Sequence, residues 1–383
     1  MNLLNRLLEP ALLAPALQAI ALAMAVILLS LIVLLVLQKV VLERRHREQQ
    51  EAADRFAAAL AGGTRLEDLA VDPRQLSQRR ALARTLRAAG ADVANGQLRG
   101  APWYQELVAR LQRECRRKAW GERAAAFEML EYLGAAELRP FLQEAAQRED
   151  HPQAYAACLA CLAKLVDQAA SLASLWNQLQ AKPGLSGSFN QGLFRSAIDA
   201  LSRHRSPQTA AAAVQQLLAD ANPLDPLTLD LIWGVGKCAL ASLVPQLVAL
   251  GGAAQAPKSL RIACVRAVGM LQPDHPLLAN ALSDRDWEVQ ANGAKYLRSS
   301  TPEVIAGLSG CLKSPAFYVR YNAATSLAAL CPEGRTVLEA ALTCSDAFAR
   351  DISRYALRVL DSHDAAGVPD GSDAARVREG TYG

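Results

Sequence analysis

From Ala19 to Leu37 every residue is apolar except Ser30, and no charge interrupts the run. At about 1.5 Å per residue this stretch covers roughly the 30 Å of a bilayer's hydrocarbon core, so residues 19–37 are expected to form a single transmembrane helix. A cleavable leader would show a basic start, an apolar core of about 7–15 residues and a small-residue cut site. Here Arg6 is balanced by Glu9, the run is longer, and basic residues follow it, which favours an uncleaved anchor behind a short segment, 1–18. Lys39, Arg44, Arg45 and Arg47 come after the run and only Arg6 before it. Basic flanks stay on the cytoplasmic side, so the large C-terminal domain is expected in the cytoplasm. Eight cysteines without clustered spacing agree with a reducing compartment.

The net charge of +4 conceals an asymmetry. Between Lys39 and Lys118 there are 17 basic and 10 acidic residues, so the positive excess sits beside the anchor. Anionic lipid attracts such a segment, which makes Lys39, Arg44, Arg45 and Arg47 candidate membrane-surface contacts. The plainer reading is that Arg45, Arg79, Arg80, Arg116 and Arg117 are solvated helix faces. Nucleic acid is not expected as a partner, because the total charge is small and no basic strip is interleaved with aromatics.

Half of the chain is hydrophobic but only 5% is aromatic, and apolar residues recur at three- and four-residue steps. That pattern predicts an all-α protein. Val40 to Leu60 reads as the anchor helix continuing to a stop at Gly62-Gly63, Gln75 to Ala89 as a second helix, and Gly90 to Pro102 as a linker. Residues 38–100 thus form a basic juxtamembrane region. Repeats follow over 101–360, and a tail over 361–383, poor in large apolar residues, is expected to be flexible.

The repeats are aligned on Leu260-Arg-Ile262, Trp287-Glu-Val289 and Phe317-Tyr-Val319, with Ala267 and Met270, Ala294 and Leu297, and Ala324 and Leu327 at later offsets. The units lie 27 and 30 residues apart, with a degenerate one near Phe348. Trp120 with Leu130 keeps part of the pattern, and His151 to Val166, Ser188 to Leu201 and Pro226 to Leu240 have the phasing. Such periods mean stacked helical hairpins, each burying its neighbour's apolar face. Pro183, Pro207, Pro223, Pro257, Pro273, Pro302 and Pro332 mark the expected reversals.

The stretch Ser314 to Leu327 (SPAFYVRYNAATSL) resembles the second-helix signature of HEAT repeats, in particular the short bacterial lyase-type variety, and Ser283 to Leu297 (SDRDWEVQANGAKYL) is similar with Gln290 replacing the usual arginine. The resemblance is good over about Leu260 to Leu360 and approximate from Trp103 to Gly252. It implies an α-solenoid of antiparallel pairs forming a right-handed superhelix. It further implies that the arginine at Arg320 pairs with an acidic residue of a neighbouring repeat. If second helices line the concave face, Arg320, Tyr321, Arg350 and Arg354 are candidate partner contacts, since Tyr and Arg dominate binding hot spots.

Sharper chemistry finds little support. Cys158 and Cys161 form a CxxC inside a helical stretch and read as core residues. Gly234-Val-Gly236-Lys237 lacks the strand and glycine spacing of a phosphate loop and reads as close helix packing. Ser186 and Ser309 form no nucleophile elbow, and His46, His151, His204, His275 and His363 are dispersed. No catalytic, cofactor or metal residues are assigned. The sequence therefore reads as a bacterial inner-membrane scaffold that binds a protein partner at the cytoplasmic face, within an assembly such as a polysaccharide synthase or secretion machine. The alternative is an enzyme or enzyme subunit, since the resembled repeats also occur in bilin lyases and in hydroxylases with metal-binding histidines.

Overall fold

The computed structural model describes residues 10–65, 68–89, 97–134, 136–253 and 255–365. Segments 1–9, 90–96 and 366–383 lie outside the described residues, and with them most of the short N-terminal segment, much of the expected linker and most of the tail. Among the described residues every regular element is a helix, and the chain forms two compact units, Met1–Ala135 and Ala136–Gly383.

In the first unit, helix α1 (Pro10–Ala61) carries the apolar run and continues unbroken past it. Between Leu22 and Leu42 its apolar side chains remain exposed, Leu29 at 63%, and this part of the helix is long and apolar enough to cross a membrane. The hydroxyl of Ser30 donates to the Val26 carbonyl at 2.8 Å, so the one polar side chain of the run is satisfied within the helix. Farther along, Ala52, Ala53 and Phe56 are buried, and α1 packs against α2 (Leu76–Ala89), whose Ala81, Leu82 and Leu86 are buried too. The helix stops as expected at Gly62-Gly63, where Gly63 adopts a left-handed φ of 87°.

Two further helices, α3 (Tyr104–Glu114) and α4 (Trp120–Leu133), belong to this same unit. The expected domain boundary at 100/101 therefore falls inside a packed body. Of the expected linker, Gln97–Gly100 makes a 3-10 turn with Leu98 fully buried, and Trp103 follows it into the core. Arg79 corrects another expectation. It is not a solvated face: only 8% exposed, it pairs with Glu114 at 2.7 Å, and Glu114 also accepts from Arg110 at 3.2 Å. A guanidinium and carboxylate withdrawn from water need each other, so this pair ties α2 to α3.

The second unit has two layers. The first helices of the hairpins are α5 (Arg139–Arg148), α7 (Ala169–Ala181), α9 (Pro207–Asp220), α11 (Val244–Gly252), α13 (Pro276–Ala281), α15 (Pro302–Cys311) and α17 (Glu333–Ala341). The second helices are α6 (Pro152–Lys164), α8 (Gly187–His204), α10 (Pro226–Lys237), α12 (Lys258–Leu271), α14 (Trp287–Tyr296), α16 (Phe317–Ala329) and α18 (Ala347–Ala365), and each packs on the next. The prolines sit where reversals were expected. Pro207 and Pro302 open α9 and α15, where a missing N–H is harmless, and Pro257 and Pro332 precede α12 and α17. Side chains of Ser206, Asp225 and Thr301 cap the helices that follow them, accepting from backbone N–H groups at 3.0–3.4 Å.

The repeat register needs one correction. Second helices α12, α14, α16 and α18 begin at Lys258, Trp287, Phe317 and Ala347, so Leu260 corresponds to Val289, Val319 and Ala349, all buried, and not to Trp287 and Phe317. The same shift matches Val268 with Leu297, Leu327 and Leu357, a continuous row of core residues. Close packing explains both glycines of the Gly234–Gly236 pair. A Cβ on Gly234 would meet Ile198 and Phe194 of α8 at 3.3 Å, and one on Gly236 would meet Ala267 of α12 at 3.1 Å. Cys158 and Cys161 are buried in α6, where the Cys158 thiol donates to the Leu142 carbonyl at 3.3 Å.

One buried acid has no basic residue among its hydrogen-bond partners. Asp230 of α10 is 6% exposed and accepts from Gln191 at 2.8 Å and Asn190 at 3.3 Å. Burial pushes its pKa above the usual carboxylate range, against the opposing effect of those two amides. The folded protein therefore holds this proton more tightly than the unfolded chain, and stability falls as pH rises from the ordinary carboxylate range through the raised value. Asp230→Asn is expected to raise Tm by about 2–4 °C at neutral pH. The gain should shrink in acid; calorimetric melts of both proteins across the pH range check it.

Candidate partner-binding surface

The second helices of the last repeats share one device at their fourth residue. In α16, Arg320 donates from Nη1 to the carbonyls of Ser314 (2.6 Å) and Pro315 (2.9 Å), six and five residues back. In α18, Arg350 does the same to Cys344 and Ser345, both at 2.8 Å, and in α14 Gln290 reaches the Asp284 carbonyl at 2.6 Å. The corresponding Arg261 of α12 donates to Ala256 at 2.8 Å. Each side chain thus ties down the turn that starts its own helix. Arg261 alone of these four also makes the predicted inter-repeat pair, binding Asp284 at 2.9 and 3.0 Å and reaching Asp286 of the next repeat.

This geometry sorts the candidate residues. Arg320 is 8% exposed, with its guanidinium 4.7 Å from the Phe348 ring centroid, so its cation is spent on the turn and on the neighbouring repeat. That corrects its assignment as a partner contact. Arg350 is half-buried in the same role one repeat on. Arg354 is exposed and pairs with Asp351 at 2.8 Å, and Tyr321 is half-buried. On α1, Lys39 and Arg44 are exposed, 3.8 Å from Glu43 and 3.0 Å from Glu48, and Arg47 is exposed; the side chain of Arg45 lies outside the described residues.

Around Tyr321 the structure assembles something the sequence reading missed. Trp287 stacks on Tyr318 across one repeat boundary, centroids 6.2 Å apart and planes 14° apart. Phe317 meets Tyr318 edge-on at 5.5 Å and stacks on Tyr321 at 5.9 Å, and Tyr321 reaches Tyr355 of α18 at 6.0 Å. Phe348 stands beside them, 65% exposed over Arg320, and Trp287, Phe317, Tyr318 and Tyr355 are exposed as well. In a chain only 5% aromatic, five rings from three second helices form one connected, largely exposed ridge, which Phe348 extends through the Arg320 guanidinium. Ring contacts at these separations are attractive and fix the rotamers, so a partner would meet a surface already ordered.

Among the described residues no three His, Cys, Asp or Glu side chains gather as a metal site. An open groove of about 400 Å³ lies between Ser283, Gln290, Gly310 and Lys313, without a nucleophile–base pair.

Comparison with known proteins bears on the same region. Residues 274–358 match the family model described as HEAT repeats. No curated protein matches the chain. Similar solved structures include a Kap121p mutant, at 13% identity and TM-score 0.48, covering 78% of this chain and 39% of that one. An engineered protein is similar at 15% identity and TM-score 0.34, covering 83% and 95% of the two chains. Human deoxyhypusine hydroxylase in complex with glycerol is similar at 16% identity and TM-score 0.27, covering 83% and 98%. Residues 274–358, the stretch that matches the HEAT-repeat model, run from α13 into α18 and carry the whole aromatic ridge.

Proposed function

We propose that the protein is a membrane-anchored scaffold, not an enzyme, whose C-terminal HEAT repeats hold a protein partner on the aromatic ridge at the cytoplasmic face of a bacterial inner membrane. The observation that carries this reading is the ridge itself. Isolated exposed apolar residues are ordinary, but a contiguous ordered aromatic patch on a folded surface marks an interaction site. The uncovered apolar stretch of α1 supports anchoring, because in water those side chains would need a protein cover that the described residues do not supply. Anchoring confines the partner search to the membrane surface and raises the effective concentration of the ridge near other membrane-bound proteins, such as those of an envelope assembly.

The test is a crosslinked pull-down of the full chain from its native cells, beside a Phe317→Ala/Tyr321→Ala/Phe348→Ala variant. Each ring at a hot spot contributes about 2 kcal/mol or more, so the variant should lose its partner by at least about 30-fold, while circular dichroism shows it still folded despite a few degrees of Tm lost with the ring contacts. Equal recovery of the same proteins by both forms would end the assignment of the ridge. A reporter fused at the C-terminus, fluorescent only in the cytoplasm, checks the orientation. Metal analysis of the purified protein separates this reading from a hydroxylase-like one.

A further inference from the structure

The hairpin of α1 and α2 has a definite register. Arg84 of α2 donates from Nη1 to the Gln50 side chain of α1 at 2.8 Å. The helices run antiparallel, so three residues further along α2 is three residues back along α1, which sets Arg87 at the level of Arg47. Helix α2 therefore descends toward the apolar segment, ending near the stretch of α1 that carries Arg44 and Arg47. Arg44, Arg47, Arg84 and Arg87 are all exposed there, while the packed faces of the two helices are filled by Ala52, Ala53, Leu82 and Leu86.

Height above the bilayer follows from helix geometry. From Leu42, the last of the exposed apolar residues Val40, Val41 and Leu42, to Arg47 is about 8 Å at 1.5 Å per residue, and from Leu37 it is about 15 Å. The headgroup layer itself is roughly 5–7 Å deep, so the hairpin tip stands within about one Debye length of lipid phosphates in either case. Both helices thus present guanidinium groups to the layer in which anionic headgroups lie.

We propose that the tip of this hairpin is an anionic-lipid headgroup site, built by Arg44 and Arg47 of α1 together with Arg84 and Arg87 of α2. The site rests on the anchoring reading and adds to it. A single basic helix leaving a membrane can roll freely, whereas two helices gripping headgroups fix which side of the first unit faces the bilayer. Charge complementarity selects the occupant: four exposed cations against a negatively charged leaflet, at a distance set by a continuous helix.

The full chain is reconstituted in nanodiscs of phosphatidylcholine alone or with phosphatidylserine added, and amide exchange is followed over residues 84–89. Co-elution with the nanodisc after an alkaline wash reads anchoring separately. The expected result is exchange slowed about threefold or more by phosphatidylserine, reversed by high salt and by Arg84→Glu/Arg87→Glu, and kept by Arg84→Lys/Arg87→Lys. Equal exchange in the two lipids, with the chain inserted, overturns the headgroup site and leaves the anchor standing. A chain that washes out overturns both. An unchanged melting temperature of the charge-reversed protein shows that lost protection is not lost folding.

Discussion

Arg261→Ala is expected to lower the stability of the second unit by about 2–4 kcal/mol, the largest loss foreseen for any single charged side chain in it. Its guanidinium fork binds Asp284 through two atoms, reaches Asp286, and also holds the Ala256 carbonyl, with only 12% of the side chain exposed. Alanine would leave two partly buried carboxylates of the next repeat facing each other, with only the exposed Arg285, 3.6 Å from Asp286, to offset them. Arg261→Lys should recover only part of the loss, because an ammonium offers one point where the fork offers two parallel bonds. Denaturant unfolding of the full chain in detergent, followed by circular dichroism, measures the difference. The effect has a pH signature. Although burial pushes Asp284 up, hydrogen bonds from Arg261 and from the Asp286 N–H hold its pKa below the usual carboxylate range. A depressed carboxylate stabilises above its unfolded pKa of about 4 and loses that contribution as pH falls through the folded value. The wild type should therefore lose its advantage over Arg261→Ala progressively below about pH 4.

That arginine also shows what could be read from sequence alone. The helical hairpins and the prolines that punctuate them were legible because each depends on local spacing. An inter-repeat arginine pair was legible as a type, but it was placed at Arg320, and the structure puts it at Arg261. The reason is the register: Leu260 was matched to the conspicuous Trp287 and Phe317, two residues out of step, which hid the equivalence of Arg261 with Gln290, Arg320 and Arg350. The aromatic ridge was missed for a related reason. Trp287, Phe317 and Phe348 recur at the repeat period as core residues do, which masks their exposure. A signal was present, since residues directly before an inward position such as Val319 point outward on a helix. The burial of Arg79 was not legible, because it depends on α2 and α3 meeting Glu114 across 35 residues of chain.

The same substitution at two helical glycines should have opposite signs. Gly192→Ala in α8 is expected to stabilise by about 1 kcal/mol, because the position is exposed, a Cβ there meets nothing within 4 Å, and alanine is the better helix former. Gly269→Ala in α12 carries the same propensity gain, yet its Cβ would collide with the Cβ and ring of Tyr296 in α14. A ring tip could swing aside, but a Cβ moves only with its backbone, so α14 would have to shift away from α12. Overpacking of this kind costs about 1–3 kcal/mol, and more where backbone must move. The clash outweighs the propensity gain, and a net loss of about 2 kcal/mol is expected. Thermal melts of the two variants, run beside the wild type, measure both signs at once. A neutral result at Gly269 would mean that α12 and α14 do not approach as closely as the stack of second helices requires, and destabilisation at Gly192 would mean that the exposed face of α8 has no room for a Cβ there.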